Sequence, residues 1–526
     1  MLTLQESSLD WALRHALKYG DTDVFPIPFE YEAVNFDWDN VRRHLAAQNV
    51  LSWATRPCRS LLSPKAKYAF RTVTQLDPLD FLLFAATIKE IADDLEGRRI
   101  PRAENRVFSY RIQLNAEGQL FDPRIGYRQF LTECESRLNI NSGFTTVAVT
   151  DISDFYSRIY HHRLENALQS ATTHTSHVKA IMRLLSGWNG TETFGIPVGG
   201  ALSRILAEVT ISDVDEALLA KGVDFVRFND DYRIFATSHD EAYCHIVFLA
   251  ETLWRNHGLS LQPQKTTILT RDVFRHRYSA TPDQRELESL HARFEQLIDD
   301  LGLDNWYEPI DYDSLEPEQQ EAIDALNLGE LFREEMSGSS EPDLRILKFV
   351  FRRLGQLADP IMVEEIFDKI EVLHPILPDI IHYLNNLRYL TADQRRQIGG
   401  RILQLFEDSI LSELPYHKIW LLDLFTRSRA WNNEAKFFQL YGSEPDPACR
   451  RELILAMGRV GQRHWFQSQW RTLFDHAHWP RRALLASASC MPGDARRHWY
   501  RSIEPQLDVL ETAVMKWARQ NPFFSA

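Results

Sequence analysis

Three acids in this chain are placed where they could work together. Asp151 ends the β-prone run FTTVAVT, and Asp230 and Asp231 sit in VRFNDDYRIF, Val226 to Phe235, some eighty residues later. Two short β runs meeting at Asn229-Asp230 read as a tight hairpin. Such a pair often serves the turn alone, because Asx side chains tolerate turn backbone. If folding brings both elements to one sheet edge, however, the carboxylates crowd, and the crowding is costly unless divalent cations neutralise it. Mg²⁺ favours one or two carboxylates with substrate phosphates and water. The chemistry that uses this arrangement is phosphoryl or nucleotidyl transfer, in which one ion lowers the pKa of an attacking hydroxyl and another stabilises the leaving oxygen.

The elements that must position these acids can be read from the patterning. LDWALRHALKYG predicts a short amphipathic helix ending at Gly20, GDTD a turn, and FPIPFEYEAV an extended, Pro-fixed segment. HRLENALQSA after Asp151 reads as helix, as do residues 200–220, with Leu202, Ile205, Leu206 and Val209 at helical spacing. A further helix stops near Gly258, and an extended segment then carries Lys265. Between the acids lies GIPVGGALSRILAE. Its Gly195, Gly199 and Gly200 would let the backbone approach a flat ligand, although glycine loops before helices are common turn devices.

Past Asp272 an acid-rich interval including IDYDSLEPEQQEAID leads to the Ser/Gly cluster Ser337–Ser340, a linker signal. Helix then follows helix. Leu347, Val350, Phe351, Leu354 and Leu357 make one stripe ended by Pro360, and Thr391 with Gln394 fits a capping box. Prolines at 360, 375, 378, 415, 447 and 480 suit an irregular helical solenoid. Near the end Arg481, Arg482, Arg496, Arg497 and Arg501 stand beside Trp479, Trp499 and Tyr500. They could grip a nucleic-acid strand, or their stems could cover apolar helix surface.

With 526 residues, 44% hydrophobic and 25% charged, the chain has length for two to four globular domains. A net charge of −14 excludes whole-surface nucleic-acid binding and leaves a local basic groove. Five scattered cysteines without a CxxC pair suggest neither disulfides nor a zinc knuckle, and fit a reducing cytoplasm. There is no basic-then-apolar leader and no long charge-free apolar run, so a soluble, cytoplasmic protein without a membrane partner is expected. The spacings of His161-His162 and His476/His478 place neither pair on one helix face, and both are discounted as metal ligands.

In order and approximate spacing, FTTVAVTDISDFYSRIYHH, GIPVGGALSRILAE, VRFNDDYRIF and GLSLQPQKT resemble motifs A, B, C and D of reverse-transcriptase palms. LLSPKAKYAFRTVTQLDPLD resembles the fingers. GDTDVFPIPFEYEAV and RVFSYRI are similar to segments of bacterial abortive-infection and other defence-associated reverse transcriptases. The resemblance covers roughly residues 10–270 and implies an α+β fold: reverse-transcriptase-like fingers and palm, then an all-α, HEAT-like helical-repeat domain. The expected divisions are 1–140 (N-terminal region and fingers), 141–275 (palm), 276–340 (acidic connector) and 341–526 (helical repeats).

The same resemblance implies residue roles. Asp151, Asp230 and Asp231, with the Ile152 main chain, would hold two Mg²⁺ ions, with Mn²⁺ as a substitute. Lys65, Arg71, Ile152, Tyr156, Pro197 and Gly199 would contact the incoming deoxynucleotide. Lys67 would join Lys65 and Arg71 at the triphosphate. Tyr156 would exclude a ribose 2′-OH, with Phe155 competing for that role, and Lys265 would protonate pyrophosphate. Because adjacent strand residues face opposite sides, Asp230 is expected to partner Asp151 and Asp231 to be the more variable ligand. Expected partners are dNTPs, an RNA template or non-coding RNA and a DNA product, with a homo-oligomer allowed. The implied activity is RNA-templated, or protein-primed and untemplated, DNA synthesis in antiphage defence. Tyr31, Tyr110 and Tyr307 are among many candidate priming hydroxyls. The chain departs from the usual pattern at Val198-Gly199-Gly200, where many relatives read Gln-Gly-Ser, at Phe228 in place of tyrosine, and in lacking a primer grip. An RNA-directed RNA polymerase and a catalytically silent nucleic-acid-binding scaffold are the rival readings.

Overall fold

The computed structural model describes residues 1–139, 141–278, 328–337, 342–431 and 434–520, together with Glu316, Pro317 and Gln320. Most of the acid-rich interval, Tyr307 and residues 338–340 of the linker signal lie outside the described residues. The chain forms two compact units, one of residues 1–23, 27–60 and 74–285, the other of residues 24–26, 61–73 and 286–526.

The first unit is built on a four-stranded antiparallel sheet. Two further strands, β1 (Arg59–Ala66) and β2 (Ala69–Gln75), pair as a separate hairpin whose residues 61–73 fall in the second unit. The main sheet runs β4 (Asp224–Phe228), β5 (Asp231–Ala236), β3 (Thr146–Asp151) and β6 (Thr267–Thr270). β3 is central and buried along its whole length, which accounts for its run of β-branched residues. Val147 and Val149 of β3, Phe235 of β5 and Val226 of β4 join Phe130 and Cys134 of the helix Tyr127–Arg137 and Phe274 of the helix Arg271–Tyr278 in one apolar cluster. The helix His239–His257 packs on β3, β5 and β6, and ends on Gly258 in the left-handed conformation (φ 67°) as the sequence indicates.

The predicted helix ending at Gly20 spans Glu6–Tyr19. The extended reading of FPIPFEYEAV holds only to its second proline. Glu30–Phe36 is helical, with Glu30 and Glu32 in the first turn, where carboxylates favour a helix start. Lys265 likewise is not on a strand: it closes the short 3₁₀ turn Pro263–Lys265, because Pro263 fixes φ, and β6 begins at Thr267.

Beneath the β4–β5 hairpin lies a buried ionic network that polarity patterns did not reveal. Arg227 of β4 donates Nε to Asp215 Oδ1 (2.9 Å) and Nη2 to Asp215 Oδ2 (2.5 Å), and Nη1 to Glu208 Oε1 (3.2 Å). Glu208 also accepts from Arg99 (2.6 Å) and from the Ser109 hydroxyl, and Asp215 accepts from the Tyr232 hydroxyl (3.0 Å). Arg227, Glu208 and Asp215 are each 1% exposed, so every charge depends on its partners.

Apart from its share of the β1–β2 hairpin, residues 61–73, the second unit is mainly helical among its described residues. Leu344–Leu357 packs on Leu377–Asn386, and that on Pro415–Arg427. The series continues through Pro447–Arg459 and His478–Ser487 to Val509–Gln520. This next-neighbour packing is the organisation of a helical solenoid. Prolines start several of these helices, and the Thr391–Gln394 capping box forms. Trp479, Trp499 and Tyr500 are buried. The guanidinium of Arg482 lies 4.5 Å from the Trp479 ring, so these aromatics form core and the packing reading of the segment holds.

Replacing Arg227 with Met should leave Glu208 and Asp215 without their main counter-charge and cost about 3–5 kcal/mol of stability. Urea denaturation of the first unit's tertiary signal checks this.

Candidate active site

Register in the sheet sets the site. β3 pairs with β5 so that Asp151 lies directly across from Asp231, and the Ile152 N–H donates to the carbonyl of Asp230 (3.0 Å). A strand end and a hairpin turn far apart in sequence thus meet at one sheet edge. Cross-strand partners share a face of the sheet, so Asp231 rather than Asp230 shares that of Asp151. The charge of Asp151 nevertheless bears on Asp230 next after burial, whereas for Asp231 it ranks behind Arg233, and the two acids differ in their protein partners as well. Arg233, two residues on along the same strand face, grips the Asp231 carboxylate with both terminal nitrogens. Asp230, in the turn, accepts from its neighbour's amide, Asn229 Nδ2 (2.9 Å), and no arginine or lysine of the described residues pairs with it as Arg233 pairs with Asp231.

Lys265 reaches this cluster from the 3₁₀ turn, its ammonium 2.5 Å from Asp151 Oδ2. The turn is fixed to the strand by the N–H of Gln262 on the Asp151 carbonyl (2.7 Å). Burial works against the lysine's charge, but the bond to Asp151 and the charges of Asp151, Asp230 and Asp231 together outweigh it and the pKa stands above the ordinary lysine value. For Asp230, burial first and the charge of Asp151 second push the carboxyl up to about 6. Asp231 is also raised, by burial, against the pull of Arg233.

The donor set suits a hard divalent ion: three carboxylates at one edge, one of them held toward its neutral form by burial and by the charge of Asp151. Ile152 adds a main-chain carbonyl that accepts no hydrogen bond from the described residues. With Lys265 and Arg233 drawing Asp151 and Asp231 to themselves, the three carboxylates are not closed to within 4.8 Å of one another. Among the described residues only His478, Asp508 and Glu511 reach that spacing. There Asp508 and Glu511 cap each other's backbone N–H groups, and Arg481 donates to Glu511 (3.0 Å), so a protein cation already fills the role of an ion.

Tyr156 stands beside the hairpin and donates its hydroxyl to Asn229 Oδ1 (3.0 Å), whereas Phe155 is 2% exposed and belongs to the core. The motif B loop is tied in from several sides. The Ile196 N–H donates to the Tyr156 carbonyl (3.1 Å), and the carbonyls of Val198 and Gly199 accept from the N–H groups of Thr74 (3.0 Å) and Asp23 (3.1 Å). Gly199 has φ 111°, which requires glycine. Pro197 is buried. His161, excluded above as a ligand, donates Nε2–H to the Gly195 carbonyl (2.8 Å) and holds the loop. Lys65 and Arg71 are exposed near the tip of the β1–β2 hairpin and fall in the second unit with Lys67. They are not among the residues the first unit gathers around Asp151.

Several functional residues escaped sequence reasoning: Arg227 and Arg233, Asn229 as more than a turn former, and Arg204, which pairs with Asp23 and lies 5.1 Å over the Tyr110 ring. One signal was available. An arginine inside each of the short runs FVRF and YRIF is out of place on a buried strand unless a carboxylate awaits it.

The raised Asp230 pKa has a stability consequence. The fold favours the protonated acid, so wild-type stability falls as pH rises from 3.8, the unperturbed value, through about 6. In chelator, Asp230→Asn should therefore raise the thermal midpoint at pH 7.5, by about 1–3 kcal/mol of stability, and give little gain near pH 4.

Comparison with known proteins bears directly on this edge. Residues 99–312 match the family model "Reverse transcriptase (RNA-dependent DNA polymerase)", a span that contains Asp151, the motif B loop, the acid hairpin and Lys265 but not the β1–β2 hairpin. No curated protein matches the chain. Among solved structures, telomerase from Candida albicans in complex with a fragment of telomeric RNA overlaps 71% of this chain and 67% of its own, at 13% identity and TM-score 0.33. Telomerase from Candida tropicalis, also with telomeric RNA, overlaps 70% and 68% at 10% identity and TM-score 0.33. These overlaps are too loose to transfer residue roles. The family match and the motif order agree: residues 99–312 are a reverse transcriptase domain, and the chain is an RNA-directed DNA polymerase, a nucleotidyltransferase.

Proposed function

We propose that this protein extends DNA from deoxynucleoside triphosphates at the Asp151/Asp230/Asp231 edge with two Mg²⁺ ions, and that it does so in antiphage defence. The observation that carries the reading is the register of β3 with β5, which sets Asp151 against the acid hairpin. Asp151, Asp230 and Asp231, with the Ile152 carbonyl, would hold the ions. When bound, they supply a more acidic attacking hydroxyl and charge for the departing oxygen.

The chain's own residues do the rest. Lys265 remains protonated beside Asp151 and donates a proton to the pyrophosphate. Tyr156, seated on the hairpin through Asn229, sets a wall where a ribose 2′-OH would fall. The Gly199 backbone, free of a side chain, lets the new base pair approach the motif B loop. Lys65, Lys67 and Arg71 are read as the triphosphate clamp of the fingers, as the resemblance implies. Val198-Gly199-Gly200, without the usual polar side chain, suits synthesis in which template contacts are relaxed.

The defence role is supported by the similarity of GDTDVFPIPFEYEAV and RVFSYRI to abortive-infection relatives, and by helical repeats after the polymerase. The helices would provide a partner-binding surface, and the domain divisions given above are proposed with them. All five cysteines are unpaired, in keeping with a reducing cytoplasm, and no described helix is long and apolar enough to cross a membrane.

Purified protein given dNTPs and Mg²⁺ should incorporate deoxynucleotides, and Asp230→Asn should reduce incorporation by at least about 10³-fold. Full activity in that variant refutes the assignment. Tyr156→Ala should retain synthesis but admit ribonucleotides, scored by single-turnover incorporation of matched dNTP and rNTP. A ribonucleotide preference in the wild type would select an RNA polymerase instead.

A further inference from the structure

We propose that Asn229 is a positioning residue that couples sugar choice to the metal-binding acid, its side-chain amide joining the Tyr156 hydroxyl and the Asp230 carboxylate in one hydrogen-bonded chain. This rests on the roles of Tyr156 and Asp230 proposed above. With Asp230 ionised, as a metal ligand must be, the hydrogen-bonded chain has one consistent direction. An ionised carboxylate accepts and cannot donate, so Asn229 must turn Nδ2 to Asp230 Oδ1 (2.9 Å), which leaves Oδ1 for Tyr156 (3.0 Å). The phenol must then donate, and its ring is held at one height beside the turn.

The backbone explains why asparagine can stand here, and the side chain explains what it adds. Asn229 has φ 57°, a left-handed conformation that glycine adopts freely and asparagine tolerates better than most side chains. Glycine would serve the turn alone; the amide is the extra. The Asn229 main-chain carbonyl accepts from Arg227 Nη1 (2.8 Å), so the buried Arg227–Asp215–Glu208 network fixes the turn from below. Tyr110, Arg204, Glu208 and Asp230 bear on the charge of Tyr156 without making the bond that Asn229 makes. A change in what Asp230 binds therefore reaches Tyr156 through a single side chain. By linkage, a change in what Tyr156 meets reaches Asp230 in return.

The test uses the full-length chain and three variants, with Mg²⁺ titrated against single-turnover incorporation of matched dNTP and rNTP. Asn229→Gly keeps the backbone conformation and deletes the amide. It should lower the dNTP-to-rNTP preference by about tenfold and raise the Mg²⁺ half-saturation concentration several-fold, with the thermal midpoint little changed. A merely structural role would slow both sugars equally and leave their ratio alone. Asn229→Asp, which tolerates the same φ but sets an acid against Asp230, should raise the Mg²⁺ requirement even if the glycine variant folds poorly. Tyr156→Ala is the reference. If it relaxes sugar choice and Asn229→Gly moves neither the ratio nor the Mg²⁺ dependence, the coupling is refuted and the gate stands. If Tyr156→Ala leaves sugar choice unchanged, the gate assignment falls and the coupling with it.

Discussion

The molecule's central constraint is the repulsion of three carboxylates gathered at one end of an antiparallel sheet. Each is balanced differently. Asp151 has Lys265, Asp231 has Arg233, and Asp230 accepts from the amide of its neighbour, while burial first and the charge of Asp151 second drive its carboxyl toward protonation. The acid least matched by the protein is the one that gains most from an incoming cation. Two lysine or arginine partners supplied by the fold keep the edge folded without making all three acids inert.

The second layer is the ionic core under the turn. A hairpin that carries two acids cannot also rely on an apolar tip for rigidity, and here Arg227 takes over that task. Its guanidinium is spent on Asp215 and Glu208 below and on the Asn229 carbonyl above. Fully paired, such a network specifies one position for the turn; half paired, it would be worse than an apolar core. The motif B helix Ala201–Thr210 contributes Glu208 to it, so the loop proposed to meet the base pair and the hairpin proposed to meet the metal share one support.

The second unit obeys a different rule. Its helices stack on next neighbours, and the tryptophans that might have offered stacking platforms are spent on that packing. The same unit includes residues 24–26, held by Trp420 Nε1 on the Val24 carbonyl (3.2 Å) and by Phe25 against Tyr416. Sequence continuity alone would have left those residues with their neighbours in the first unit.

What the residues alone determined is the list of parts and their order: β-branched runs ending in acids, a glycine loop before an amphipathic helix, Gly20 and Gly258 as helix stops, and a solenoid-like second half. These follow from local propensity and periodicity, which act over a few residues. Tertiary structure decided what depends on contacts between distant segments. It set Asp151 across from Asp231 in the ladder and brought Lys265 to Asp151 from a 3₁₀ turn. It buried Trp479 under Arg482, and it gave each misplaced strand arginine its carboxylate. Strand register and ion pairing are set by partners dozens of residues away, and no local pattern encodes which of two adjacent acids will face them.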